Sequence, residues 1–154
     1  MSDYQKNLDR AARLCSTREK CRHEVELKLH SWGMSEQESQ RALRFLEEQK
    51  FIDDTRYAGY FVRDKLQFNQ WGRLKIRHAL RQKHVDEKII DEALQNIDPE
   101  HYRGILDALL EKKVKSLGKE PPPQRKAKLM RFAAQRGFTS GEVYDAMDRL
   151  SFSF

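Results

Sequence analysis

An internal repeat constrains this sequence more than any other feature. Eight positions beginning at Val25 recur 51 residues later and again after a further 53 residues. Recurrence at this period indicates a chain built from stacked copies of one supersecondary unit. The three copies are Val25, Leu29, Gly33, Met34, Ser35, Ala42, Leu43 and Leu46; Ile76, Leu80, His84, Val85, Asp86, Ala93, Leu94 and Ile97; and Leu129, Ala133, Gly137, Phe138, Thr139, Ala146, Met147 and Leu150.

Each copy has the pattern of a helix, a short turn and a second helix. An apolar pair at i and i+4 spacing ends four residues before Gly33, His84 or Gly137. Glycine closes a helix in the left-handed conformation without a Cβ penalty, and histidine visits that region more often than most other residues. We therefore predict a left-handed turn residue at all three positions.

Helix start signals complete the predicted fold. Asp53 and the Asp98–Pro99 pair precede further amphipathic segments, which supply one more helix in front of each later copy, and a segment marked by Leu8, Ala11, Ala12 and Cys15 supplies the first. Capping-box spacing occurs at Ser16/Glu19, Ser35/Glu38 and Thr139/Glu142. We predict an all-α fold of three tandem three-helix repeats, at 4–50, 54–97 and 99–150, that form an elongated, curved body.

Composition argues against a membrane protein, a secreted protein and a metalloprotein. The mean hydropathy is -0.88, and the sequence has neither an apolar run of about 18 residues nor a signal-peptide pattern at its start. Two cysteines, Cys15 and Cys21, suit a reducing compartment, and we expect neither to have a structural role. No second Cys/His pair has ligand spacing. We expect a cytoplasmic protein without metal or cofactor.

The sequence also disfavours an enzyme and a groove-reading DNA binder. Its five histidines have no carboxylate or nucleophile placed to form an acid/base set, and Gly118-Lys119-Glu120 lacks the rest of a phosphate-binding loop. A helix-turn-helix reader needs a basic second helix, whereas 35–48 and 86–97 are acidic. We therefore expect no catalysis and no sequence-specific DNA recognition.

Basic residues are concentrated in two blocks that could bind an anionic partner. Residues 63–83 carry seven basic side chains against one acidic one, and residues 112–136 carry nine against one. Arg73, Arg77 and Arg81 recur at i, i+4 and form a ridge beside the predicted core stripe. A solvated surface remains the alternative for any single residue. The candidate partner-binding residues are Arg73, Lys75, Arg77, Arg81, Lys83, Trp71, Lys128 and Arg131.

Four segments resemble the RecX family of bacterial regulatory proteins. FIDDTRYA at 51–58 is similar to the family's aromatic/leucine-Asp-Asp-x-Arg-aromatic-Ala element, and 72–85 is similar to its Gly-x-x-x-Ile-x-x-x-Leu-x-x-Lys-Gly-Ile element. RFAAQRGF at 131–138 matches Arg-Phe-x-x-x-Arg-Gly-aromatic, and 24–33 fits the first repeat. The match is not complete, because His84 stands where the family usually has glycine.

This resemblance implies a monomeric, cytoplasmic modulator of the RecA recombinase, with a role in recombination, DNA repair and the SOS response. Family members have three-helix repeats, lie in the groove of the RecA–DNA nucleoprotein filament, and limit its growth, ATP hydrolysis and strand exchange. The residues alone leave two rivals open. These are a non-specific DNA-binding helical-repeat protein without a recombinase target, and an adaptor for another acidic protein. Weak contacts to DNA phosphates are expected both of a non-specific DNA-binding protein and of a RecX-family protein, so they do not distinguish the two.

Overall fold

The computed structural model describes residues 2–152, and every regular element within that range is an α-helix. This confirms the all-α prediction. The repeat boundaries at 4–50, 54–97 and 99–150 stay a prediction. The helices of the described chain are α1 (Asp3–Thr17), α2 (Arg22–Ser31), α3 (Glu36–Glu48), α4 (Asp54–Asn69), α5 (Arg73–Gln82), α6 (Glu87–Gln95), α7 (Pro99–Leu117), α8 (Pro122–Gln135) and α9 (Ser140–Leu150).

The turns after α2, α5 and α8 share one backbone geometry. Gly33 and Met34 donate their N–H groups to carbonyl oxygens three and five residues earlier, at 3.0 and 3.2 Å. The same pair of bonds closes α5 and α8. The turn residues Gly33, His84 and Gly137 have φ values of +87°, +57° and +96°. The left-handed prediction is confirmed at all three positions, and His84 adopts it despite its Cβ.

Two of the three predicted capping boxes are present. Ser35 Oγ accepts from the Glu38 N–H, Thr139 Oγ1 accepts from the Glu142 N–H, and each glutamate accepts in return from the N-cap N–H. Pro99 begins α7, as its position after an aspartate predicts. These local signals therefore fix the starts of three helices.

The predicted capping box at Ser16 is wrong. Ser16 lies inside α1, and its hydroxyl donates to the Ala12 carbonyl oxygen one turn earlier, at 3.0 Å. The box belongs to α2 instead, where Glu24 Oε1 accepts from the Cys21 N–H at 3.1 Å. Because α1 continues to Thr17, Ser16 has no free helix start to cap.

The chain divides into two compact units. The first contains the described residues up to Tyr60 together with Leu80–Ile90; the second contains Phe61–Ala79 and the described residues from Asp91 onward. Apolar residues at the repeated positions form part of the core of each unit. Leu29, Leu43 and Leu46 are 0% exposed in the first unit, and Leu129 and Ala133 are 0% exposed in the second. Within residues 2–152, no helix combines the length and apolarity needed to span a bilayer.

Cys21 belongs to the core of the first unit, so the expectation that neither cysteine has a structural role is wrong for it. The side chain is 0% exposed, and its Sγ donates to the Lys83 carbonyl oxygen at 3.7 Å. Burial raises the pKa of this thiol to about 12, and the neighbouring Glu24 carboxylate adds to the increase. Cys15, by contrast, is only half-buried.

Candidate partner-binding surface

The start of α5 in the second unit is held by the turn between α8 and α9. The Gly72 N–H donates to the Arg136 carbonyl oxygen at 2.6 Å, and the Leu74 N–H donates to the Gly137 carbonyl oxygen at 3.1 Å. First-turn N–H groups have no partner within their own helix, so these bonds satisfy donors that would otherwise be orphaned. They also fix the direction in which α5 presents its basic side chains.

This contact requires glycine on both sides. A Cβ on Gly72 would lie 2.4 Å from the Gly137 carbonyl oxygen, and a Cβ on Gly137 would lie 2.4 Å from the Lys75 Cβ. Both distances are far below van der Waals contact. The two backbones can meet here only because neither residue has a side chain.

Arg73 is tied to the second unit by three contacts. Its N–H donates to Tyr102 Oη at 3.0 Å, its guanidinium lies 3.9 Å from the centre of the Tyr102 ring, and its Nη1 lies 3.5 Å from Glu142 Oε2. Burial raises the pKa of the Tyr102 phenol above its usual range, and the Glu142 carboxylate adds to the increase. A phenol is protonated at neutral pH even at its ordinary pKa, and the increase extends the range over which the Tyr102 hydroxyl holds the Arg73 N–H to alkaline pH.

The other two ridge arginines also face carboxylates. Arg77 Nη1 lies 2.6 Å from Asp91 Oδ1, and Arg81 forms an ion pair with Glu87. Because the Arg81 pair is exposed and the Arg77 pair is partly exposed, each contributes little stability, but each balances the arginine charge locally. Five of the eight predicted residues have such a partner, namely Arg73, Arg77, Arg81, Lys83 (with Glu24) and Lys128 (with Glu120).

Trp71 lies between two lysines. The Nζ atoms of Lys65 and Lys75 are 4.8 and 4.7 Å from the Trp71 ring centre, and Phe61 meets the ring edge-on at a centroid distance of 6.5 Å. Lys75 Nζ also donates to the Gln135 carbonyl oxygen of α8 at 3.3 Å. The indole is half-buried, with two lysine ammonium groups near its ring and Phe61 at its side.

Arg131 is exposed and lies one helical turn before Gln135, to which Lys75 is bonded. Within residues 2–152, no carboxylate lies within ion-pair distance of Lys65, Lys75 or Arg131. We group Lys65, Trp71 and Lys75, which contact one another, with Arg131 of α8, the helix to which Lys75 is bonded, and call this set the Trp71 surface. It contains three of the predicted residues and Lys65, which belongs to the first basic block but is not among the candidate partner-binding residues.

Histidines and carboxylates of the first unit contact one another in two places. The His23 and His84 rings stack with centroids 3.7 Å apart and planes 19° apart. One carboxylate oxygen each of Glu26 and Glu36 and an imidazole nitrogen of His30, which are atoms that could bind a metal ion, lie within 4.8 Å of one another. There His30 Nε2 is 3.1 Å from Glu36, and the Gln40 amide nitrogen is within 3.0 Å of both glutamates, so these groups already satisfy each other.

Comparison with known proteins places these features in a family. Models of the second and third three-helix domains of RecX match residues 53–94 and 105–147. The regulatory protein RecX of Chlorobium phaeobacteroides is 35% identical over 149 residues, which cover 97% of this chain and 96% of that protein. This chain belongs to the RecX family. The RecX of Clostridium tetani is also 35% identical, over 87% of this chain, but the match covers only 62% of that protein, slightly under two thirds.

Solved structures agree with the assignment of a RecX repeat fold. A crystal structure of regulatory protein RecX aligns with a TM-score of 0.86 at 27% identity, and covers 94% of this chain and 71% of that one. RecX from Lactobacillus salivarius aligns with a TM-score of 0.89 over 97% of both chains; at 23% identity it supports the fold alone. The RecX relatives are named as regulatory proteins and not as enzymes, in agreement with the expected absence of catalysis.

Proposed function

We propose that this chain binds the RecA recombinase and its nucleoprotein filament in the cytoplasm, and that binding inhibits filament growth, ATP hydrolysis and strand exchange. The observation that carries the proposal is the RecX match across almost the whole chain. The charge distribution supports an anionic partner, because both basic blocks contribute cations to the Trp71 surface.

The Trp71 surface is the part of the candidate site best suited to a partner. Aromatic and basic side chains together are typical of interface hot spots. Lys65, Lys75 and Arg131 keep their charge available, whereas Arg73, Arg77 and Arg81 must first leave a carboxylate. We therefore expect the first group to dominate binding, through recombinase carboxylates, DNA phosphates or both, and the ridge arginines to contribute less.

A monomer with more than one weak patch gains affinity on a polymer, because each contact raises the effective concentration of the next. If the protein blocks a growing filament end, substoichiometric amounts will suppress RecA ATP hydrolysis during assembly. If it coats the filament, inhibition will need about one molecule per recombinase protomer. The titration distinguishes these two forms of the proposal.

The decisive experiment compares two triple variants in cosedimentation with RecA–DNA filaments. Lys65→Glu/Lys75→Glu/Arg131→Glu reverses the Trp71 surface, and Lys6→Glu/Arg44→Glu/Lys88→Glu makes the same charge change at exposed positions of the first unit. We expect the first variant to lose filament binding and ATPase inhibition by at least tenfold. The second should stay within about twofold of wild type.

Equal losses in both variants would show that only net charge matters. Wild-type protein that binds bare DNA as well as filaments, with a log–log salt slope of about 0.7 to 0.9 per phosphate contacted, would favour the DNA-binding rival. Circular dichroism and urea unfolding of each variant separate these results from loss of fold.

A further inference from the structure

A groove of about 570 Å³ in the second unit is lined by none of the Trp71 surface residues. It is bounded by the end of α4, by α7 and by α8. Apolar side chains form its floor, and basic side chains stand at its rim. The floor includes Ile105, Leu109 and Phe132, and the rim includes Lys112, Lys113 and Arg136.

The rim charge is not balanced inside the groove. Among the described residues that line it, none is an aspartate or a glutamate. Lys112 is exposed and makes no hydrogen bond or ion pair with another side chain in the described chain. Three cations and no carboxylate line the open groove, so its lining favours an anionic ligand.

Two of these cations are held over the floor. Lys113 Nζ and Arg136 Cζ lie 4.9 and 5.1 Å from the Phe132 ring centre, and Arg136 Nη1 donates to the Asn69 carbonyl oxygen at 2.8 Å. The apolar floor and the basic rim are therefore brought together by fixed contacts. A ligand that enters the groove meets both at once.

We propose that this groove binds an acidic peptide segment of a partner protein that carries a large apolar side chain. The apolar side chain packs against Ile105, Leu109 and Phe132, and neighbouring carboxylates pair with the rim cations. A wholly acidic ligand would leave the apolar side chains of the floor exposed to water, and a wholly apolar ligand would leave the rim cations without an anionic partner. Helix-in-groove and acidic-motif recognition use these same two elements.

The floor favours a peptide over single-stranded nucleic acid. Sequence-tolerant strand binders supply several aromatic side chains on which successive bases stack. Among the described residues that line this groove, Phe132 is the one aromatic side chain, and its neighbours Ile105 and Leu109 are aliphatic. Aliphatic surface matches a leucine or phenylalanine side chain better than a run of bases.

The test uses a fluorescein-labelled 12-residue peptide of aspartate and glutamate with two leucines four positions apart, measured by fluorescence anisotropy. We expect saturable binding by the full chain. Lys112→Glu should weaken binding at least tenfold. Lys115→Glu, the same change three residues later on α7 and outside the groove, should alter it less than twofold. Replacing both leucines of the peptide by serine should also abolish binding.

Three results would overturn the proposal. These are no saturable binding up to 1 mM peptide, equal weakening by Lys112→Glu and Lys115→Glu, or undiminished binding of the serine peptide. Binding of a 12-nucleotide oligothymidylate that depends on Lys112 and excludes the peptide would assign the groove to nucleic acid instead. Lys112→Gln, which only neutralises the charge, repeats the test if the reversal disturbs the fold. The assay contains no recombinase, so it fails or succeeds independently of the proposed function.

Discussion

The same repeat contact is built in two different ways in the two units. In the second unit, the turn after α8 meets the start of α5 through backbone atoms, with the Gly72 N–H 2.6 Å from the Arg136 carbonyl oxygen. In the first unit, the turn after α5 meets the start of α2 through side chains. There Cys21 Sγ donates to the Lys83 carbonyl oxygen, and the His23 and His84 rings stack.

The two contacts occupy equivalent repeat positions. Cys21 lies 51 residues before Gly72, and His84 lies 53 residues before Gly137, so the offsets are those of the repeat itself. A glycine pair allows close backbone approach, whereas the Cys/His pair fills the junction with side-chain atoms. The repeat therefore conserves which turn meets which helix, and it leaves the atoms of the contact free to differ.

We call the Gly72–Gly137 contact the glycine junction, and the contact of Cys21 and His23 with the turn after α5 the Cys/His junction. Gly137→Ala should disrupt the glycine junction and give the largest loss of stability. The new Cβ would lie 2.4 Å from Lys75 Cβ, at a residue whose φ is +96°. We expect a loss of about 3 kcal/mol or more in the free energy of urea unfolding, because both steric overlap and backbone strain contribute.

Gly33→Ala is the matched control for this loss. Gly33 has a φ of +87°, and nothing lies within 4 Å of a Cβ placed there. Only the left-handed backbone cost applies, about 1 to 2 kcal/mol. Equal losses in the free energy of unfolding of the two variants would contradict this prediction. They would show that the structure relieves the close contact at Gly137 at no energetic cost, so that a Cβ is tolerated there as well as at Gly33.

The Cys/His junction should instead be sensitive to alkaline pH. The pKa of the Cys21 thiol rises from an ordinary value near 9 to about 12, chiefly because burial disfavours the thiolate. Its contribution to stability is therefore fully present below about pH 9 and is lost as the pH rises toward 12, because the unfolded thiol ionises first. We expect wild-type protein to lose roughly 1 to 2 kcal/mol more between pH 8 and 10.5 than Cys21→Ala does.

Urea unfolding at the two pH values measures this difference. Buried tyrosines such as Tyr102 also resist ionisation, but they are present in both proteins and cancel in the comparison. Cys15→Ala provides a second comparison, since Cys15 is only half-buried and its raised pKa should matter less. If the Cys21→Ala protein loses as much free energy of unfolding at alkaline pH as wild type does, ionisation of the Cys21 thiol does not destabilise this junction.

Local chemistry predicts those parts of the fold that depend on neighbours in sequence. The left-handed residues, the boxes at Ser35 and Thr139 and the buried repeat columns each follow from residues within one or two turns. The box at Ser16 was mispredicted because the spacing to Glu19 is correct, and only the length of α1 shows that Ser16 lies inside the helix. Spacing alone cannot fix where a helix ends.

The candidate site depends on contacts distant in sequence, and the sequence predicts it less well. Arg73 and Arg77 are correctly placed on one helix, but their partners Glu142 and Asp91 come from α9 and α6. No periodicity within α5 can show that these charges are balanced. Lys65 lies only six residues before Trp71, but its position over the Trp71 ring depends on how the chain bends after α4, which helical periodicity does not show. Charge counts locate the basic blocks, and only the fold shows which cations remain unpaired.

His84→Gly should give the smallest effect and the sharpest test of the comparison, because it makes the turn of the first unit resemble that of the second. The change relieves a left-handed backbone cost of about 1 kcal/mol, but it also removes the ring stacked on His23, worth about 0.5 to 1.5 kcal/mol. These terms oppose each other, so we expect the free energy of unfolding to change by only about 0.5 kcal/mol.

A double-mutant cycle separates the backbone cost from the ring stacking. His23→Ala should destabilise wild-type protein by about 1 kcal/mol and should have almost no effect in the His84→Gly background. The same cost of His23→Ala in both backgrounds would mean that the stacked rings contribute nothing, and that the first junction depends on the other contacts of the turn, those of Cys21 and the Lys83–Glu24 ion pair.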